Sequence, residues 1–204
     1  MRNGIIVTVL FACLIGSALL FYAGWELTIV GLLCVLFAFL YTTGPYPLSY
    51  NGWGDVLVIV FFGFVPVGGT YYVQALTWTS DTTVASLICG LLIDTLLVVN
   101  NYRDREADAR SGKRTVIVRF GEKFGRYLYL MLGVAASLLC FWFFFEGHLF
   151  AALLPLLYLI PHVLTWRRMV QIHSGKKLNS ILGETSRNML LMGILLSIGF
   201  LIRH

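Results

Sequence analysis

Thr82-Thr-Val-Ala-Ser-Leu-Ile-Cys-Gly-Leu-Leu-Ile-Asp-Thr-Leu-Leu-Val-Val-Asn-Asn-Tyr102 contains one charged residue, Asp94. A helix needs about 20 residues to cross about 30 Å of hydrocarbon, and a backbone group left unsatisfied in lipid costs several kcal/mol. This stretch therefore reads as a membrane-spanning helix. Working outward, the chain supplies six more such runs, near Ile5 to Ala23, Leu27 to Thr43, Asp55 to Trp78, Phe124 to Phe145, His148 to Trp166 and Asn188 to Ile202. The expected fold class is all-α: a polytopic transmembrane bundle of seven spans forming one domain over residues 1–204.

Composition agrees with this reading. Of 204 residues, 58% are apolar and 12% charged, which leaves too little polar surface to cover a soluble core. A cytosolic enzyme, a disordered tail and a nucleic-acid module are excluded, and anionic headgroups explain the formal charge of +5 as well as an acidic partner would. The basic residues test the span count. Arg2 precedes the first span, eight more lie between Arg103 and Arg126, and Arg167, Arg168, Lys176, Lys177 and Arg187 lie around the sixth connection. Fourteen of the fifteen thus fall on the N-terminal side of the membrane, and only Arg203 falls opposite. Because Lys and Arg accumulate on the cytoplasmic face, the expected location is the cell (inner) membrane with a cytoplasmic N-terminus. Trp25, Trp53, Trp78 and Trp166 sit at predicted helix ends, as headgroup anchors do. Cys13, Cys34, Cys89 and Cys140 occur singly in apolar runs and read as packing residues.

The span ending at Tyr102 carries on into Arg103-Asp-Arg-Glu-Ala-Asp108-Ala-Arg-Ser-Gly-Lys113-Arg-Thr115. If the helix continues, Asn100, Asp104 and Asp108 form one stripe with about 6 Å of rise between neighbours. That spacing suits a metal–diphosphate site, because Mg²⁺ takes hard oxygen ligands, few protein carboxylates and substrate phosphates. Lys113 and Arg114 could meet the remaining phosphate charge. The competing reading is a solvated loop whose Asp and Arg residues pair with each other. Asp94 is either functional, or a carboxyl that is protonated or hydrogen-bonded to a Ser or Thr of another helix. Gly63-Phe-Val-Pro66-Val-Gly68-Gly69 should kink or open its helix, serving either packing or a cavity wall. His162 reads as a satisfied packing residue.

The stretch Val99 to Gly121, of the form N-N-x-R-D-x-x-x-D-x-x-x-G-K-x-T, resembles the second aspartate-rich motif of the UbiA superfamily of membrane prenyltransferases. It looks most like the 1,4-dihydroxy-2-naphthoate polyprenyltransferases of menaquinone synthesis. Tyr41-Thr-Thr-Gly-Pro45 with Gly52-Trp-Gly-Asp55, Gly69-Thr-Tyr-Tyr72, and Leu178-Asn179 with Thr185 agree with this. The resemblance implies transfer of a polyprenyl group from polyprenyl diphosphate to 1,4-dihydroxy-2-naphthoate, with decarboxylation, giving demethylmenaquinone. The runner-up acceptor is 4-hydroxybenzoate. It implies Mg²⁺ on Asp104 and Asp108, the catalytic pair, with diphosphate contacts from Asn100, Lys113, Arg103 and Arg114. Tyr41, Asp94 and Tyr71 are expected at the substrate pocket. Family members carry nine helices and a first N-D-x-x-D motif, whereas this sequence has seven and lacks that motif. The expectation is therefore a chain corresponding to helices three to nine, N-terminally incomplete, completed by a missing segment or a companion chain, or else an inactive remnant. Membrane lipid is the other expected partner, and nucleic acid is not.

Overall fold

The computed structural model describes residues 2–202, in which every element is helical. Seven rods stand where the apolar runs predict them: α1 (Arg2–Ala23), α2 (Glu26–Thr42), α3 (Gly54–Ala75), α4 (Ser80–Arg110), α6 (Glu122–Phe145), α7 (Leu149–Ile172) and α8 (Lys176–Leu201). A short helix, α5 (Val116–Phe120), lies between α4 and α6. Six of the rods are long and apolar enough to cross a membrane, and α2 is a shorter apolar helix of 17 residues. The outer surface is itself apolar. Leu14 is 69% exposed and Phe21 90%, a surface that only lipid satisfies. The protein is a multi-pass membrane bundle. Arg203, and with it the expected far side of the C-terminus, lies outside the described residues.

α4 is the axis. It packs against α3 on one side and α6 on the other, with α8 also in contact. One core layer gathers Val98, Val99 and Tyr102 of α4 with Tyr129, Met169 and Ile181; a second gathers Ile88 and Leu92 with Phe143, Tyr158 and Met192. Thr79 caps the N-terminus of α4, its hydroxyl accepting from the Thr82 amide at 3.1 Å.

The expected opening of α3 is present. Ile59–Gly68 runs in widened π-type turns around Pro66, which has no amide hydrogen to give. A Cβ added at Gly63 would lie 2.5 Å from the Ser86 carbonyl oxygen and 2.8 Å from Gly90 Cα, so the two backbones meet directly. This is the packing role.

Two boundaries differ from the sequence expectation. α4 continues unbroken through Arg110, where the apolar run suggested an end at Tyr102. The last helix proper starts at Asn179, nine residues before Asn188. Its first turns look too polar for a span, but Glu184, Thr185 and Asn188 are buried and partnered. Glu184 pairs with Arg168 at 2.7 Å and accepts from the Thr165 hydroxyl at 3.4 Å; Asn188 Nδ2 donates to Thr165 Oγ1 at 2.9 Å; Thr185 and Tyr129 share a hydrogen bond at 3.0 Å. His162 is also buried and satisfied, bonded to the Tyr158 hydroxyl at 3.0 Å and the Leu130 carbonyl at 3.2 Å.

Hydrogen bonds sort the connections as the charge pattern requires. Arg119 reaches the Asn51 carbonyl at 2.7 Å and Arg103 reaches Asn179 at 2.9 Å, which gathers the second, fourth and sixth connections at one end. At the other end the Trp142 indole donates to Asp81 at 2.7 Å.

Candidate functional site

At 1.5 Å per residue a 31-residue helix is about 46 Å long, roughly 15 Å more than the hydrocarbon it crosses. The surplus carries Asn100, Asp104 and Asp108. A clamp on Tyr102 steadies it. The buried ring lies under Arg105 (4.5 Å to the centroid), its hydroxyl accepts from Arg126 Nε at 2.9 Å, and Glu122 of α6 pairs with both arginines at 3.1 Å.

The helix then ends in a Schellman turn. The Lys113 amide donates to Asp108 O at 2.9 Å and the Gly112 amide to Ala109 O at 3.2 Å, with Gly112 at φ +77° where a side chain would strain the backbone. Reversing the chain here brings the Lys113 ammonium back to the Asp108 carboxylate, 3.2 Å away. The Thr115 hydroxyl then caps α5.

A second loop closes over this end. Leu48–Tyr50 forms a single 3-10 turn, tied to α2 by Ser49 Oγ donating to the Tyr41 carbonyl at 2.6 Å. The Arg114 amide donates to the Tyr50 carbonyl at 2.7 Å, and Arg119 spans the seam, reaching the Arg114 carbonyl at 3.1 Å and the Asn51 carbonyl at 2.7 Å. Gly52 sits against this seam at φ +82°, where an added Cβ would come within 3.0 Å of the Arg114 carbonyl oxygen.

Between the two loops and α4 lies a cavity of about 360 Å³. α4 contributes Leu97, Asn100, Asn101 and Asp108, and the turn after it contributes Ser111, Lys113 and Thr115. Tyr41 and Thr42 end α2, Ser49, Tyr50 and Gly52 come from the loop, and Gly54 and Asp55 begin α3.

Of the residues singled out by sequence, this arrangement brings Asn100, Asp108, Lys113 and Tyr41 into one cavity. Asp104 follows the same stripe but is not part of the lining, and Arg103 holds both its oxygens, at 2.7 and 2.5 Å. Arg103 also donates to Asn100 Oδ1 at 2.7 Å and to Asn179. The continuous helix and the Asp–Arg pairing, set against each other in the sequence, thus occur together. Arg114 contributes its backbone to the seam and is not in the lining. Tyr71 lies farther along α3, half-exposed and away from the cavity. Asp94 is buried one to two turns below Asn100, and its Oδ1 has no hydrogen-bond partner. Sequence reasoning passed over Asp55, Asn101 and Arg119; the G-D pair opening α3 was the available signal for the first.

Two carboxylates and an amide oxygen on one helical stripe are hard donors that fit Mg²⁺, although Arg103 and Lys113 hold several of those oxygens. No group of three or more His, Cys, Asp or Glu placed to hold a metal occurs among the described residues. A divalent cation here would therefore depend on oxygens from a phosphate ligand.

The profile of the UbiA prenyltransferase family matches residues 2–198. The chain belongs to this family. A 1,4-dihydroxy-2-naphthoate octaprenyltransferase of Haemophilus influenzae is 37% identical over 99% of this UbiA-family chain and 68% of its own length. Proteins of the same name from Escherichia coli and Mycobacterium leprae are 38% and 42% identical over 69% and 61% of the chain. The chain spans about two thirds of the first relative and less than half of the other two, 47% and 42%. No solved structure matches it.

Proposed function

We propose that this UbiA-family protein transfers a polyprenyl group from its diphosphate to 1,4-dihydroxy-2-naphthoate, with decarboxylation, in menaquinone synthesis. The relatives' names support the acceptor and the chemistry. The observation that carries the reading is the Schellman turn, which sets the Lys113 cation beside Asp108 and Asn100 on one wall of a half-enclosed cavity.

Lys113 binds the diphosphate and stabilises charge as it departs. Asn100 orients the same group through its side-chain amide. Asp108, and Asp104 once it leaves Arg103, would hold Mg²⁺, and the bound ion would neutralise diphosphate charge and make it a better leaving group. The Tyr41 end of the cavity receives the aromatic acceptor, and the closed loops keep water from the allylic cation that develops. The basic end of the bundle faces the cytoplasm, as the distribution of Lys and Arg favours.

The test uses membranes containing this chain, supplied with a polyprenyl diphosphate, Mg²⁺ and 1,4-dihydroxy-2-naphthoate, the product read by mass. Demethylmenaquinone is expected; it should disappear with EDTA, return with Mg²⁺, and be lost in Asp104→Ala and Asp108→Ala. Product with 4-hydroxybenzoate alone would transfer the reading to that acceptor. No product with either would overturn it.

A further inference from the structure

The cavity has an end that phosphate chemistry does not use. Asp55, in the first turn of α3, lines it, yet its Oδ1 is buried with no hydrogen-bond partner. Asp94, beneath it on α4, is 1% exposed and has an orphaned Oδ1 of its own. Gly54 lies between the helices, its Cβ position 3.4 Å from Leu97 and 3.6 Å from the Tyr41 hydroxyl. Asp55 lies close enough for its charge to act on Asp94, and both act on Tyr41. Buried carboxylate oxygens nearly always find a donor, because leaving one unmet costs about 1–3 kcal/mol or more. An orphaned oxygen on a residue that lines the cavity, with a second buried on the neighbouring helix, indicates a donor that arrives with a ligand.

The ligand's chemistry follows from what surrounds them. An ionised Asp55 carboxylate accepts only, so the group that it meets must donate. Like charge excludes a diphosphate from this end, and the cavity's ammonium stands at Asp108 rather than here. A bare divalent cation needs about six oxygens, more than this pair supplies. A phenolic hydroxyl meets the requirement.

We propose that Asp55 is a binding residue for the aromatic acceptor, its carboxylate accepting a hydrogen bond from a ring hydroxyl, with Asp94 behind it as a positioning residue. The proposal rests on the prenyl-transfer reading and deepens it. It divides the cavity into a cationic end for diphosphate and an acidic end for a hydroxylated ring. A charge-assisted hydrogen bond there also holds the ring in its more electron-rich form.

The experiment measures binding to the detergent-purified protein by tryptophan fluorescence, using 1,4-dihydroxy-2-naphthoate, 2-naphthoate (which lacks both hydroxyls) and Mg²⁺-pyrophosphate. Wild type should bind the hydroxylated ring about tenfold more tightly than the bare one. Asp55→Ala should bind the two alike, and Asp55→Asn, which keeps an acceptor oxygen, should lie between. Asp94→Asn should reduce the preference only partly. Pyrophosphate affinity should be unchanged throughout, which also shows that the variants fold. The proposal fails if wild type shows no preference, if Asp55→Ala keeps it, or if the Asp55 variants weaken pyrophosphate as much as the ring. Turnover is read on the same preparation. An inactive protein with hydroxyl coupling at Asp55 keeps this site and loses the prenyl-transfer reading, and an active one without that coupling does the reverse.

Discussion

The Arg114 amide donates to the Tyr50 carbonyl at 2.7 Å, so the two loops that wall the cavity form one hydrogen-bonded unit. Arg119 reinforces the join by holding one carbonyl from each loop. Arg119→Ala should leave the bundle folded and raise KM for polyprenyl diphosphate about fivefold, equivalent to roughly 1 kcal/mol for an exposed guanidinium. Arg119→Lys should recover only part of the loss, since one ammonium cannot reproduce the fork. Steady-state kinetics against each substrate checks this; an unchanged KM would show that the seam holds without the arginine.

Lys113 is the cation nearest the predicted diphosphate. Removing it leaves Asp108 facing the phosphates without a counter-charge. Lys113→Ala should weaken pyrophosphate inhibition about thirtyfold, from a charged hydrogen bond of roughly 2 kcal/mol, while acceptor affinity stays the same. Equal pyrophosphate inhibition in variant and wild type would remove Lys113 from the site.

The contact between α3 and α4 admits no side chain. Gly63→Val should lower the thermal unfolding midpoint in detergent, at a cost of about 1–3 kcal/mol from overpacking. Gly69, a turn and a half farther on, has nothing within 4 Å of its Cβ position, and Gly69→Ala should be neutral or stabilising. A similar midpoint in the two variants would contradict the close approach at Gly90.

Thr165 supports the buried end of α8 by accepting from Asn188 and donating to Glu184. Thr165→Val should destabilise by about 1–3 kcal/mol, because both partners lose a bond inside the bundle. Thr165→Ser should restore stability. Pyrophosphate affinity, measured alongside, should move in neither variant, as Thr165 is not part of the cavity lining.

Much of this was legible in the sequence, for physical reasons that differ by residue. The spans could be read because lipid demands long apolar helices, and the Asn100–Asp108 stripe because helical periodicity needs no tertiary information. Lys113 could be named from its charge, but its return to Asp108 depends on the positive φ of Gly112, which spacing alone does not give. Arg103, read as a phosphate ligand, binds Asp104 and Asn100, since neighbours on the same helix reach each other first. Asp55 entered only as the start of a span and the end of the Gly52-Trp-Gly-Asp55 stretch, since its unpartnered oxygen depends on how α3 and α4 pack. The start of α8 was obscured because Glu184, Thr185 and Asn188 lower its hydropathy, and their partners lie on α6 and α7.

α4 is one rigid rod from Ser80 to Arg110, fixed against α3 by Gly90 and bearing Asn100 and Asp108 on its free end. Its angular register is therefore shared between packing and chemistry. Each residue turns an α-helix by about 100°. Adding or removing a single residue between Gly90 and Asn100 would leave every side chain of the site in the sequence and swing those that α4 contributes away from the rest of the cavity together. Length in this segment is thus constrained more tightly than the identity of the apolar residues that fill it.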